Sequence, residues 1–110
     1  MVTIHIKRDS FHNILGFSCK GHADYSEKGS DVICAGISAL TMTSILGLQE
    51  LTQLSLRIKQ NPEKGWLECD WDNVPVEMDH ANLIVQVMMI GLKDIAAQYP
   101  EYLKVSEVEV

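Results

Sequence analysis

Cys34 is the thiol of this chain with the best placement for nucleophilic chemistry. It follows Ser30 and Asp31, either of which can cap a helix predicted over residues 32–54. A thiol in the first turn of a helix lies among amides without partners and near a partial positive charge, which favours the reactive thiolate. The same amides could stabilise an oxyanion. Position alone leaves an alternative open, in which Cys34 is only a small residue that packs the helix against a sheet.

His22 is the histidine placed best to act as a base for Cys34. It stands beside Gly21 at the end of a predicted strand, twelve residues before the cysteine. Together the two residues supply a nucleophile and a base that later protonates a leaving amine. On spacing alone the pairing is suggestive rather than specific. The other histidines have ordinary placements on a charged strand face, near a hairpin turn and at a helix start: His5, His12 and His80.

The other two thiols are interpreted as core residues. Cys19 and Cys69 are each in phase with apolar neighbours on a predicted strand. An odd number of cysteines, no CxxC spacing and no export signal at the N-terminus argue against both a disulfide framework and a zinc site. No metal or cofactor is expected.

Two further features could assist the pair. Asp31 is favoured as a helix cap, with orientation of the His22 ring as a possible second role, since its charge would otherwise oppose a thiolate. The polar loop over residues 23–29 is either an ordinary surface connection or a lid that orders around a peptide. The lid candidates are Ala23, Asp24, Tyr25, Ser26, Glu27, Lys28 and Gly29.

The elements that must position these residues follow from periodicity. Alternation predicts a hairpin over residues 2–8 and 13–19, and a second strand pair around 56–58 and 66–71 with a turn at 61–65. A second helix is predicted over 80–98, capped by Asp79, with Leu83, Val87 and Ile90 at helical spacing. A last strand is predicted over 102–110. The order β-β-α-β-β-α-β indicates an α+β fold: a mostly antiparallel sheet of about five strands with two helices packed on it.

Composition sets broad limits on function. The length suits a single domain over residues 1–110. The net charge of −6, from 9 basic and 15 acidic residues, has the wrong sign for a nucleic-acid-binding protein and suits a basic partner. No run of about 18 apolar residues predicts a spanning helix, so we expect no membrane partner and a cytoplasmic location.

The triplet GHA at positions 21–23 and the run SDVICAGISAL at positions 30–40 resemble the ribosomal-processing cysteine protease family (Prp). The resemblance extends over nearly the whole chain in length and element order. It implies an enzyme, needed for ribosome maturation, that removes the N-terminal extension of the twenty-seventh large-subunit ribosomal protein. It also implies Cys34 as nucleophile, His22 as its partner and Asp31 as the nearby acid. An apolar cleft beside Cys34 for paired aromatic residues and a homodimer are implied as well.

Two other functions stay open at this stage. In one, the protein is a non-enzymatic ribosome-assembly or ribosome-binding module in which Cys34 only packs. In the other, Cys34 is a thiol redox sensor and no peptide is cleaved. Cys19 is then the candidate resolving thiol that lies near Cys34 in sequence.

Overall fold

Five strands and two long helices make up the fold. The computed structural model describes residues 1–21 and 28–110, with the backbone alone for residues 28–31. The strands are β1 (Val2–Arg8), β2 (Ile14–Lys20), β3 (Arg57–Asn61), β4 (Trp66–Asp70) and β5 (Leu103–Glu109). The helices are α1 (Lys28–Leu51) and α2 (Met78–Gln98), with short 3₁₀ turns at Pro62–Lys64 and Pro75–Glu77. The predicted order of elements is confirmed.

The strands form one sheet in the order β3-β4-β2-β1-β5. Three neighbouring pairs are antiparallel, whereas β1 and β5 are parallel. The parallel pair arises because α2 carries the chain back across the sheet before β5 begins, which a hairpin cannot do. The predicted class, a mostly antiparallel sheet with two helices packed on it, is confirmed.

One face of the sheet is buried beneath the helices and the other is open. On β1, Val2, Ile4 and Ile6 are buried and alternate with less buried polar residues. The buried side chains of both helices join them in a single core. Within that core, Phe17 and Trp71 make an edge-to-face contact with ring centroids 6.4 Å apart. The Trp71 indole donates a 2.9 Å hydrogen bond to the Ile14 carbonyl, so this large ring is buried without an unpaired donor.

Both helices differ from the prediction at their starts. α1 begins at Lys28, four residues before the predicted start, and ends at Leu51. α2 begins at Met78, and Asp79 therefore lies inside its first turn. The predicted cap at Asp79 is wrong, because the N-cap position belongs to Glu77, whose side chain makes no capping hydrogen bond. A 3₁₀ turn immediately precedes α2 and leads the chain into it, so no side-chain cap marks the boundary.

The residues at helical spacing on α2 do not form its buried stripe. Leu83, Val87 and Ile90 are 62%, 62% and 71% exposed. The core-facing stripe is a different set of residues: Met78, Ala81, Val85, Met88, Met89 and Leu92. Because α2 is apolar on more than one side, periodicity alone could not say which stripe faces the sheet.

The segment Val32–Leu51 of α1 is long and apolar enough, by length and composition, to cross a membrane, with a mean hydropathy of 1.7. The prediction that no segment has this character is therefore wrong. In the fold, Ile33, Ile37, Ile45 and Leu48 of this segment are buried in the core. Part of the apolar surface of α1 is thus used in packing against α2 and in the common core.

Candidate active site

A cleft of about 260 Å³ lies between α1 and the hairpin formed by β3 and β4. Cys34, Ile37, Ser38 and Met42 line it from successive turns of α1. The opposite wall is the tip of the hairpin, and most of the lining surface is apolar. Cys34 is partly exposed within this cleft. A thiol with access to solvent, at the edge of an apolar trough, has the placement that attack on a bound peptide requires.

The position of Cys34 within α1 differs from the prediction. It is the seventh residue of the helix rather than one of the first three. Amides in the second turn are paired within the helix, and the effect of the terminus falls off within the first turn. The free amides that sequence reasoning assigned to Cys34 are therefore not its immediate neighbours. Activation of the thiol depends correspondingly more on a neighbouring base.

Asp31 is the fourth residue of α1, so its predicted role as the N-cap is wrong. The early start of α1 explains the error, since the cap must precede Lys28. The side chain of Asp31 lies outside the described residues, and its orienting role stays a prediction.

Gly21 lines the same cleft as Cys34. Its φ of +103° is one that residues with a side chain rarely adopt, and a Cβ there would collide with the Met1 carbonyl oxygen. Its N–H donates a 2.8 Å hydrogen bond to the Gly65 carbonyl. The glycine of the GHA triplet is thus required by the close passage of the backbone against the start of β1.

His22 follows Gly21 directly in the sequence and lies outside the described residues, as do residues 23–27 of the predicted lid. Lys28 and Gly29 belong to the first turn of α1. The prediction that they belong to a lid loop is therefore wrong, and the connection before α1 ends by residue 27.

Cys19 also lines the cleft, which sequence reasoning did not foresee. It lies on the helix-facing side of β2, between Ile4 and Leu67 of the neighbouring strands. Burial, and in second place the negative charge of Cys34, raise the pKa of Cys19 to about 11. It packs against the core but is only partly buried, so the prediction of a core thiol is confirmed in part. The signal was present in the sequence: Cys19 lies two residues before Gly21, where the strand leaves the core.

Cys69 is buried with no exposed surface, and its prediction as a core thiol is confirmed. Burial, followed by the charge of Asp70, raises the pKa of Cys69 to about 12. In the described part of the chain, no three His, Cys, Asp or Glu side chains come together as metal ligands.

Comparison with known proteins places these features in context. The profile of a family described as cysteine protease Prp matches residues 1–104. The chain is 29% identical to the ribosomal processing cysteine protease Prp of Staphylococcus aureus, over 96% of this chain and 98% of the relative. It is 25% identical to the protein of the same name from Bacillus subtilis, over 96% of each.

Solved structures give the same result for the fold. A crystal structure of the essential ribosomal processing protease Prp from S. aureus in complex with a substrate peptide matches with a TM-score of 0.85 at 28% identity. That match covers 98% of this chain and 100% of the other. A second structure of the S. aureus protein, with a covalently linked product peptide, matches with a TM-score of 0.85 at 29% identity, over 98% and 100% of the two chains.

Proposed function

Since this chain belongs to the Prp family of cysteine proteases, we propose that it removes the N-terminal extension of the twenty-seventh large-subunit ribosomal protein. Cys34 is the nucleophile and His22 its base. The observation that carries this proposal is that Cys34 lines an apolar cleft together with Gly21, the residue that precedes His22.

The reaction is acyl transfer in two steps. The Cys34 thiolate attacks the scissile carbonyl carbon, a C–S bond forms, and collapse of the tetrahedral intermediate breaks the C–N bond. Protonated His22 gives its proton to the departing amine. His22 then takes a proton from water, which attacks the thioester and restores the thiol. The covalently linked product peptide in the S. aureus relative supports this route.

The cleft supports a substrate with bulky apolar residues near the cut. Ile37 and Met42 on α1, and Leu67 on β4, offer apolar surface on both walls. A trough with two apolar walls favours an extended peptide whose aromatic side chains lie within it. The polar atoms of such a peptide form hydrogen bonds with the backbone and with nearby polar side chains of the cleft, such as Ser38 and Gln60.

Charge segregation supports a basic substrate at the helical side of the molecule. Strand register places five of the nine basic residues and two of the fifteen acidic residues on the open sheet face. The basic residues there are Lys7, Lys20, Arg57, Lys59 and Lys104. Four basic and thirteen acidic residues are left for the rest of the chain, which is therefore more acidic than the net charge of −6 indicates. A basic ribosomal protein is attracted to such a surface.

The same proposal includes a homodimer formed through the outer face of the two helices. Leu46 on α1 and Leu83, Val87 and Ile90 on α2 are each more than half exposed. The helices lie antiparallel, with Gly47 against Ile84 and Gly91 against Leu40, so these side chains share the face directed away from the sheet. A twofold contact would bury this apolar patch against its own copy. The dimer works in the cytoplasm, where we expect its ribosomal substrate to be processed.

A peptide that spans the proposed cleavage site tests the function. We expect the purified protein to cut it once, with the two products identified by mass. Cys34→Ala is expected to abolish cleavage, whereas Cys69→Ala, which removes a buried thiol that does not line the cleft, is expected to retain it. Cleavage that survives Cys34→Ala would overturn the assignment of the nucleophile. An active protein that does not cleave this peptide but cleaves another ribosomal extension would overturn only the proposed identity of the substrate.

A further inference from the structure

Two thiols from different elements face the same cleft. Cys34 is on α1 and Cys19 is on β2, and both line the cleft, as does Gly21. Each is partly exposed. Cys69 is on the same side of the sheet but is fully buried and is absent from the cleft lining. The catalytic route described above has no role for Cys19, so its thiol is a nucleophilic group that the proposed function leaves unused.

The two sulfurs are near enough for their charges to interact. Burial is the largest cause of the raised pKa of Cys19, and the second cause is repulsion by the negative charge of Cys34. Two negative charges repel each other more strongly in a cleft with apolar walls than in water, because the effective dielectric constant there is lower. While Cys34 carries its charge, Cys19 is held as a neutral thiol, which is a poor nucleophile.

We propose that Cys19 is the resolving thiol of Cys34 and that the pair is an oxidative modification site for hydroperoxides. The inference rests on the proposed role of Cys34 as a reactive thiol. Oxidation links the two residues in a disulfide across the cleft, and the protease is reversibly inactivated.

The chemistry balances in two steps. The Cys34 thiolate attacks the outer oxygen of the hydroperoxide, the O–O bond breaks, and the alkoxide that leaves takes a proton to become an alcohol. Cys34 is now a neutral sulfenic acid. Cys19 gives up its proton and attacks the Cys34 sulfur, the S–O bond breaks, and the departing hydroxide combines with that proton to form water. Overall, two thiols and one hydroperoxide give one disulfide, one alcohol and one water.

Conversion of Cys34 to a neutral sulfenic acid removes the smaller of the two causes that raise the pKa of Cys19, so the resolving thiol ionises more readily after the first oxidation. The disulfide then protects Cys34 from the irreversible sulfinic and sulfonic acids. It also joins β2 to α1, the elements that come before and after His22 in the sequence. The Cys34 sulfur is then bonded to Cys19 and is no longer available as a nucleophile.

The test treats the reduced protein with an equal concentration of hydrogen peroxide and analyses it by intact mass and by peptide mapping without reductant. The wild type is expected to lose two hydrogen atoms and to yield a peptide that links Cys19 to Cys34. Dithiothreitol is expected to restore most of its activity. Cys19→Ser and Cys19→Ala are expected to accumulate sulfinic and sulfonic acid at Cys34 instead, with little activity recovered. Each variant is compared with its own activity before oxidation.

Cys69→Ala is the matched control and is expected to form the same linked peptide as the wild type. Absence of the linked peptide from the wild type, or equal recovery of activity in the Cys19 variants, would overturn the proposal. Its failure is distinct from that of the proposed function. If the linked peptide forms but the protein cuts no ribosomal extension, the thiol-pair proposal is supported and the proposed function fails. If the protein cuts the extension but forms no linked peptide, the proposed function is supported and the thiol-pair proposal fails.

Discussion

Gly21 donates a 2.8 Å hydrogen bond to the carbonyl oxygen of Gly65, which joins the end of β2 to the turn between β3 and β4. Both residues line the cleft that holds Cys34. The bond therefore fixes the separation between the strand that leads to His22 and the hairpin that forms the opposite wall. Precise placement of this kind matters because a catalytic pair loses rate quickly when it is displaced.

Gly21→Ala is expected to lower both stability and activity. The φ of +103° and the close approach of Met1 leave no room for a methyl group, so the backbone must shift or bear strain of about 1–3 kcal/mol. Gly36→Ala is the matched control, because a Cβ there makes an ordinary 3.7 Å contact with Ile95 and a helical alanine stabilises by about 0.5–1 kcal/mol. Urea denaturation and peptide cleavage measure the two effects. Equal stability of the two variants would contradict this reading of Gly21.

The catalytic pair is expected to give a rate that depends on pH through two coupled ionisations. Removal of the imidazole in His22→Ala should lower kcat/KM by about 10²–10⁴-fold. His80→Ala, on an exposed histidine at the start of α2, is expected to leave the profile unchanged. The measurement is kcat/KM for the extension peptide across the neutral range. A flat profile in the wild type would argue strongly against the pair.

Sequence reasoning located the strands well because their signals are local. In β1, the alternation of Val2, Ile4 and Ile6 with polar residues matches the buried and open faces of the sheet. The parallel partnership of β1 with β5 was not predicted, since it joins residues about a hundred positions apart and leaves no local pattern. The two motifs that carry the proposed catalytic residues were recognised through their resemblance to the Prp family.

The errors arose where one pattern has two physical readings. Ser30-Asp31 has the composition of a cap, but α1 continues back to Lys28 and places Cys34 in the second turn. α2 is apolar on more than one side, so the stripe at Leu83 and Val87 could be taken for a core stripe although it is exposed. Cys19 is in phase with core residues, but it lies where the strand emerges into the cleft.

The open face of the sheet makes a separate prediction about stability and pH. Lys7 reaches Asp70 at 2.8 Å and Glu68 at 3.1 Å, across the space that Gly16 leaves by having no side chain. The hydrogen bond that Lys7 donates holds the pKa of Glu68 below 4.5. Partial burial lowers the pKa of Lys7, but the bonds to Asp70 and Glu68 outweigh it and leave that pKa above 10.5.

The directions of these two pKa shifts define two pH ranges in which the free energy of unfolding changes. A lowered Glu68 pKa contributes stability that is present above pH 4.5 and is lost as the pH falls through the folded value. A raised Lys7 pKa contributes stability that is present below pH 10.5 and is lost as the pH rises through the folded value. Lys7→Met should therefore cost about 1 kcal/mol at neutral pH and reduce the loss of stability in both pH ranges. Lys104→Met, on an exposed residue of the same sheet face in β5, opposite Thr3, is the control in urea denaturation across pH. An identical pH dependence in wild type and Lys7→Met would refute the prediction.

Met42 is expected to contribute to substrate binding rather than to the chemical step. It is 44% exposed and lies on the wall of the cleft, two turns of α1 beyond Cys34. Loss of its side chain in Met42→Ala removes apolar contact with the peptide, which should raise KM by about tenfold and change kcat less. Gln49→Ala, an exposed substitution further along α1 and away from the cleft lining, should leave both constants unchanged. Steady-state kinetics with the extension peptide separates the two constants. A fall in kcat at constant KM would assign Met42 a different role.

The dimer proposal predicts that one charge on the outer face of α2 separates the subunits. Val87 is 62% exposed and lies at the middle of the patch between Leu83 and Ile90. Val87→Glu would bury a carboxylate against its own symmetry copy, an arrangement that costs several kcal/mol unless the charge is paired. Sedimentation velocity is expected to show a dimer for the wild type and a monomer for the variant. Val76→Glu, on an 82% exposed valine in the turn before α2, controls for the added charge and should remain dimeric. A monomeric wild type, or a Val87→Glu protein that stays dimeric, would exclude this face as the interface, since a carboxylate could not be accommodated there without a partner.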